Sequence, residues 1–141
     1  MKKMDAKAVW KHGLSFTGSA DTGFELPLGA SPAVGGDNDG FRPMELFAIG
    51  LAGCTGMDVI SILKKKQQDV TAFEVRAHTR QRDEHPRTFV AIELEYLVTG
   101  HNVDLAAVQR SVELSITKYC PAYATLSQVV PITYTITVLE G

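Results

Sequence analysis

Apolar and polar residues change their spacing several times along the chain. From Asp5 to Leu28, Val, Trp, Phe and Leu occur in short runs broken at Gly13, Gly18 and Gly23. That punctuation predicts three small antiparallel strands joined by tight turns. Gly29 to Gly40 (GASPAVGGDNDG) has no period and carries four glycines with Pro, Ser, Asn and Asp, so it reads as a loop long enough to be functional. Pro43 suits the first turn of a helix, where its missing N–H is not needed. Behind it Leu46, Phe47, Ile49, Leu51, Met57, Val59, Ile60, Ile62 and Leu63 fall on every face, until Lys64, Lys65 and Lys66 cluster where the negative end of the helix dipole lies. A helix apolar all round must be covered on all sides.

The spacing then drops to two. Phe73, Val75, Ala77 and Thr79 alternate with Glu74, Arg76, His78 and Arg80, and Val90, Ile92, Leu94, Tyr96 and Val98 repeat the pattern after the polar stretch 82–87. This predicts a hairpin of strands over 70–82 and 88–98. Asp104 is placed to cap a second helix, whose Leu105, Val108, Val112, Ile116 and Tyr119 keep helical spacing until Pro121 breaks it. Ile132, Tyr134, Ile136 and Val138, alternating with threonines, predict a closing strand. The order gives an α+β fold: a mainly antiparallel sheet, helices against one face, a long buried central helix, and one domain over 1–141. Gly50, Gly53 and Gly56, with Ala52 beside them, let another backbone approach that helix closely. A domain this small has difficulty covering such a helix alone, which favours an interlocked dimer.

Composition narrows the partners. The chain has 141 residues, 45% hydrophobic and 21% charged, which excludes a disordered tail. Fourteen Lys+Arg against sixteen Asp+Glu leave a net charge of −2, giving no reason to expect a nucleic acid partner. Met1-Lys2-Lys3-Met4-Asp5 is not followed by the apolar run of a secretory signal, so the chain reads as cytoplasmic. Pro43 to Leu63 carries Glu45 and Asp58 and is interrupted by small residues, which argues against a membrane span. No G-x-S-x-G, Walker or G-x-G-x-x-G spacing occurs, so a hydrolase triad and a nucleotide cofactor are unsupported.

The two cysteines hold the remaining chemistry. Cys54 and Cys120 stand 66 positions apart, without a C-x-x-C pair or a histidine at metal-ligand spacing, so no metal is expected. In a reducing cytoplasm they are either two inert buried thiols or a pair that cycles between thiol and disulfide. Cys54 lies about three turns into the helix, roughly 16 Å from its start at 1.5 Å per residue, beyond the reach of the positive dipole. A thiolate there needs a cation, and the nearest sequence candidate is Arg42. Cys120 sits before Pro121, at a helix end whose dipole disfavours a negative sulfur. Cys54 is therefore the better first nucleophile and Cys120 the better resolving thiol.

Gly40-Phe41-Arg42-Pro43-Met44-Glu45-Leu46-Phe47-Ala48-Ile49-Gly50-Leu51-Ala52-Gly53-Cys54 resembles the cysteine-bearing central helix of the osmotically inducible protein C and organic hydroperoxide resistance (OsmC/Ohr) superfamily. Tyr119-Cys120-Pro121 followed by Leu126 resembles its second cysteine motif, and the element order fits from roughly Lys7 to Val138. The resemblance implies an OsmC-like fold and an intertwined homodimer whose sites are lined by both chains. It implies reduction of organic hydroperoxides in oxidative stress defence, without metal or flavin, with Cys54 peroxidatic, Cys120 resolving, a disulfide between them, and an external thiol or dithiol as reductant. The family's peroxidases carry a glutamate ten positions before the cysteine. Here that position is Met44, and Glu45 comes one residue late, turned by about 100° on a helix. Lys11 stands in the strand region where the family has its arginine, leaving Arg42 as a candidate by proximity. These departures resemble a less characterised OsmC-like branch. They keep open a second reading, a dimeric small-ligand-binding or stress-associated module without efficient turnover.

Overall fold

A computed structural model describes residues 1–141. The chain forms two compact units, Met1–Phe47 and Ala48–Gly141. In the first, β1 (Ala6–His12), β2 (Ser15–Ala20) and β3 (Glu25–Leu28) make an antiparallel three-stranded sheet in that order. Gly13 takes the left-handed conformation, φ 50°, at the turn between β1 and β2, where a Cβ would be strained. All seven residues of β1 are exposed, including Val9 and Trp10. The loop that follows is ordered by its own backbone. Gly29 N–H donates to Phe41 O at 3.0 Å, Phe41 N–H to Pro27 O at 2.9 Å, and Asn38 N–H to Ala30 O at 3.0 Å. A Cβ at Gly36 would collide with the Ala30 backbone, so this crossing needs glycine.

The second unit takes in most of the long helix α1 (Pro43–Lys65), then β4 (Asp69–Gln81), β5 (Phe89–His101), α2 (Leu105–Leu114), α3 (Pro121–Leu126) and β6 (Ile132–Glu140). Its sheet has the order β4-β5-β6, with β4 antiparallel and β6 parallel to the central β5. The α+β class therefore holds, with the strands divided between two three-stranded sheets. Ile92, Leu94, Tyr96 and Val98 of β5 are buried as the alternation predicts, together with Leu51, Val59 and Leu63 of α1 and Val108 and Val112 of α2. Burying each such aliphatic side chain contributes about 1.5–3 kcal/mol.

Two local expectations are corrected. Val90 was expected to face inward and is exposed, because the ladder shifts between Arg80–Ala91 and Gln81–Phe89; this bulge gives the inward place to Phe89. The second helix ends at Leu114, not at Pro121. It widens into a π-helical turn over Ser115–Tyr119, closed by Cys120 N–H donating to Ser115 O at 2.8 Å, and Pro121 then opens α3. Proline breaks the old helix and suits the first turn of the new one.

Within the chain, α1 buries one stripe: Leu51, Thr55, Val59 and Leu63, spaced by four. Phe47, Ile49 and Met57 stay exposed at 53%, 51% and 73%. By length and composition α1 is also apolar enough to cross a membrane, with a mean hydropathy of 1.9 over its best window, a test that soluble core helices pass as well.

Candidate functional site

Cys54 and Cys120 meet in the second unit. Cys54 projects from the middle of α1 and is half-buried, while Cys120, behind the π-helical turn, is 3% exposed; both are free thiols. Burial is the main cause that pushes the Cys120 thiol up to about 11. The backbone N–H of Tyr123, 3.3 Å from the sulfur, opposes that rise, and the neighbouring Cys54 thiol and the Asp58 carboxylate add to it. Near neutral pH Cys120 is thus a protonated thiol, and Cys54 is the more exposed of the two sulfurs.

Behind the sulfurs runs a chain of buried hydroxyls. Tyr96 Oη lies 2.9 Å from Thr55 Oγ1, Thr55 Oγ1 lies 2.7 Å from Ser115 Oγ, and Ser115 Oγ donates to Asp58 Oδ2 at 2.9 Å. An ionised carboxylate only accepts, which fixes the direction of every bond. Ser115 spends its hydrogen on Asp58, so Thr55 donates to Ser115 and Tyr96 to Thr55. Tyr96, fully buried, is raised to about 12, mainly by burial and against the Thr55 hydrogen bond; Cys120, Tyr123 and Tyr134 raise it further. It therefore keeps its proton and remains a donor. The Tyr134 ring meets Tyr96 edge to face at 6.0 Å and 87°.

Arg42 and Glu45 lie in the first unit, bound to each other through the backbone. Glu45 Oε1 accepts the Arg42 N–H at 2.8 Å and Arg42 O accepts the Glu45 N–H at 2.9 Å, a reciprocal cap at the start of α1. The Arg42 guanidinium donates to Asn38 Oδ1 at 2.6 Å and Gly40 O at 3.1 Å. His12, Asp37 and Asp39 of the same unit bring ligand atoms within 4.8 Å of one another. All three are exposed, and Asp39 already accepts from Ser15 Oγ at 2.7 and 2.8 Å.

Sequence reasoning missed Thr55, Asp58, Tyr96 and Ser115 as site residues. Thr55 and Asp58 did carry a signal, since each is a polar residue near Cys54 in an otherwise apolar helix. Asp58 shares a helix face with Cys54 at a spacing of four. Ser115 and Tyr96 carried none, because only the fold brings them together.

Residues 36–135 match the family model described as OsmC-like protein. Protein YhfA of Escherichia coli strain K12 is 38% identical over 138 residues, covering 98% of this chain and 100% of that one. The crystal structure of a hypothetical protein from Aquifex aeolicus VF5 superposes with a TM-score of 0.87 at 26% identity, covering 100% of this chain and 99% of the other. An organic hydroperoxide resistance protein OsmC from Legionella pneumophila shares the fold with a TM-score of 0.72 at 17% identity, covering 97% and 98%. The paired cysteine motifs, the order of elements and these matches agree, and the chain belongs to the OsmC-like protein family.

Proposed function

We propose that the protein reduces organic hydroperoxides through Cys54 and Cys120. The observation that carries this is the pairing of a half-buried Cys54 with a neighbouring buried Cys120 thiol. Family membership supports a stress-related, peroxidase-like function in general terms. In the proposed cycle the Cys54 thiolate attacks the distal peroxide oxygen, the O–O bond breaks, and the alkoxide leaves to take a proton as the alcohol. Cys120 condenses with the resulting sulfenic acid, forming a disulfide and releasing water, and an external thiol or dithiol restores both thiols. Arg42 is the proposed cation for the Cys54 thiolate, on the sequence argument that it stands where loop meets helix, and Glu45 holds the backbone from which it projects.

Cumene hydroperoxide with a dithiol provides the test. Wild type consumes peroxide and Cys54→Ser does not, while Cys120→Ser accumulates a sulfenic acid trappable by dimedone. Arg42→Ala slows the first step and leaves disulfide closure alone. If wild type and Cys54→Ser consume peroxide alike, the peroxidase reading fails in favour of a small-ligand-binding module. An open apolar trough of about 530 Å³ over the first sheet, lined by Ala8, Phe24, Leu26, Leu28 and Leu46 among others, favours that second reading.

The working unit in this proposal is a cytoplasmic homodimer. Its support is the uncovered face of α1, where a Cβ built on Gly50 or Gly53 would meet nothing within 4 Å, flanked by exposed Phe47, Ile49 and Met57.

A further inference from the structure

We propose that Asp58 is the proton acceptor for the resolving thiol, taking the Cys120 proton and passing it to the group that leaves Cys54. This rests on the thiol-pair reading above. Asp58 and Cys54 occupy one face of α1, four residues apart, so the carboxylate faces the same side of the helix as the first sulfur. Ser115 holds the other two groups in register. Its Oγ donates to Asp58 Oδ2 at 2.9 Å, and its carbonyl accepts the Cys120 N–H at 2.8 Å across the π-helical turn. An ordinary α-helical turn would bond that carbonyl one residue earlier, and such widened turns recur at functional sites.

The chemistry needs a base. Buried Cys120 is raised to about 11, so its thiolate fraction near neutral pH is too small for rapid attack. The groups around it are Cys54 and Asp58 from α1, Tyr96 from β5 and Tyr123 from α3, with Tyr134 of β6 against Tyr96. Of these only Asp58 offers a basic oxygen. Its negative charge opposes spontaneous loss of the thiol proton to solvent, yet transfer of that proton onto the carboxylate leaves the local charge unchanged. The hydroxyls of Tyr96, Thr55 and Ser115 all donate toward Asp58 and hold the carboxylate aligned. In the peroxidase cycle the Cys54 S–O bond breaks as the S–S bond forms, and the thiol proton leaves with the hydroxide as water. No oxidant beyond the hydroperoxide is required.

The test uses a step independent of peroxide. Reduced full-length protein is mixed with 5,5′-dithiobis(2-nitrobenzoate), and Cys120→Ser marks the first release of nitrothiobenzoate, from labelling of Cys54. In wild type a second release follows as Cys120 attacks the mixed disulfide, displaces the second nitrothiobenzoate and gives up its proton. We expect the rate of this second release to be nearly flat between pH 6 and 8. In Asp58→Asn, which keeps an acceptor for Ser115, it falls by about 10²-fold or more at pH 7 and rises about tenfold per pH unit, the signature of attack by free thiolate. Asp58→Glu recovers part of the rate and the flat profile. An Asp58→Asn rate within twofold of wild type at pH 7 overturns the proposal. So does a single equivalent released by wild type, or a wild-type rate that already climbs tenfold per pH unit; these two readings stand even if the variant does not fold. Loss of the peroxidase reading shows separately, as absent hydroperoxide consumption while the second release persists.

Discussion

Thr55 shows most plainly what one hydroxyl does in this core. It is fully buried and hydrogen-bonds both Tyr96 and Ser115, so Thr55→Val keeps the shape and strands the buried Tyr96 hydroxyl, while Ser115 keeps its bond to Asp58. We expect a loss of about 1–3 kcal/mol in urea unfolding, with Thr55→Val/Tyr96→Phe costing less than the sum of the single changes, since the second removes a group the first left unsatisfied. The same burial sets a pH dependence. Cys120 at about 11 and Tyr96 at about 12 both lie above the ordinary values of about 8.5 and 10. Between those limits the unfolded chain binds fewer protons than the folded one, so stability is full below about pH 8.5 and falls as pH rises through 9 to 12. Urea midpoints measured from pH 7.5 to 11 should drop in wild type and drop less steeply in Cys120→Ala. At this scale the cysteines were legible in the sequence, being the only two nucleophilic thiols and set in motifs. Asp58 was visible merely as a charge interrupting an apolar run, and its link to Ser115, 57 residues away, is made by packing that spacing cannot report.

Elements were most legible where a period ran long and a cap marked its end. Asp104 caps α2 as its side chain foretold, accepting the Ala106 N–H at 3.0 Å, and the alternation in β4 and β5 sets their inward faces. We expect Asp104→Ala to cost about 1 kcal/mol and Asp104→Ser to recover most of it, read as unfolding midpoints or as loss of helical signal in circular dichroism. The errors sit where the backbone gains or loses a residue against its period. One extra residue in β5 turned Val90 outward, and the π-helical turn after Leu114 shifted Ser115 and Cys120 relative to the heptad-like spacing that Ile116 and Tyr119 suggested. Both are choices of hydrogen-bond register, one made across the β4–β5 hairpin and the other within the turn itself, and neither alters the side-chain pattern that the sequence displays. The parallel placement of β6 beside β5 belongs with them, because a strand's own alternation is the same in either direction.

For the whole molecule the controlling feature is the uncovered apolar surface of α1. Only 22% of its most apolar window is buried within the chain, although the helix is apolar around its circumference. Beside it, between α1 and β4, lies an apolar cleft of about 460 Å³ lined by Ile49, Gly53, Met57, Ile60, Phe73 and Val75 among others. Gly56 is already used inside the chain, since a Cβ there would stand 3.3 Å from Val75 Cγ2, whereas Gly50 and Gly53 have open space. In an isolated chain Gly53→Ala should therefore stabilise α1 by about 0.8–1 kcal/mol, the ordinary helix preference of alanine over glycine. In a dimer whose second copy approaches α1 at backbone distance, the same methyl meets the partner and the sign reverses. Sedimentation equilibrium gives the companion measurement. Wild type should run as a dimer at micromolar concentration and Met57→Glu as a monomer, because a charge placed in an apolar contact must be desolvated without a partner. A wild-type chain that sediments as a monomer, and that Gly53→Ala stabilises, would mean that the glycines serve no partner and that the thiol pair of one chain works alone.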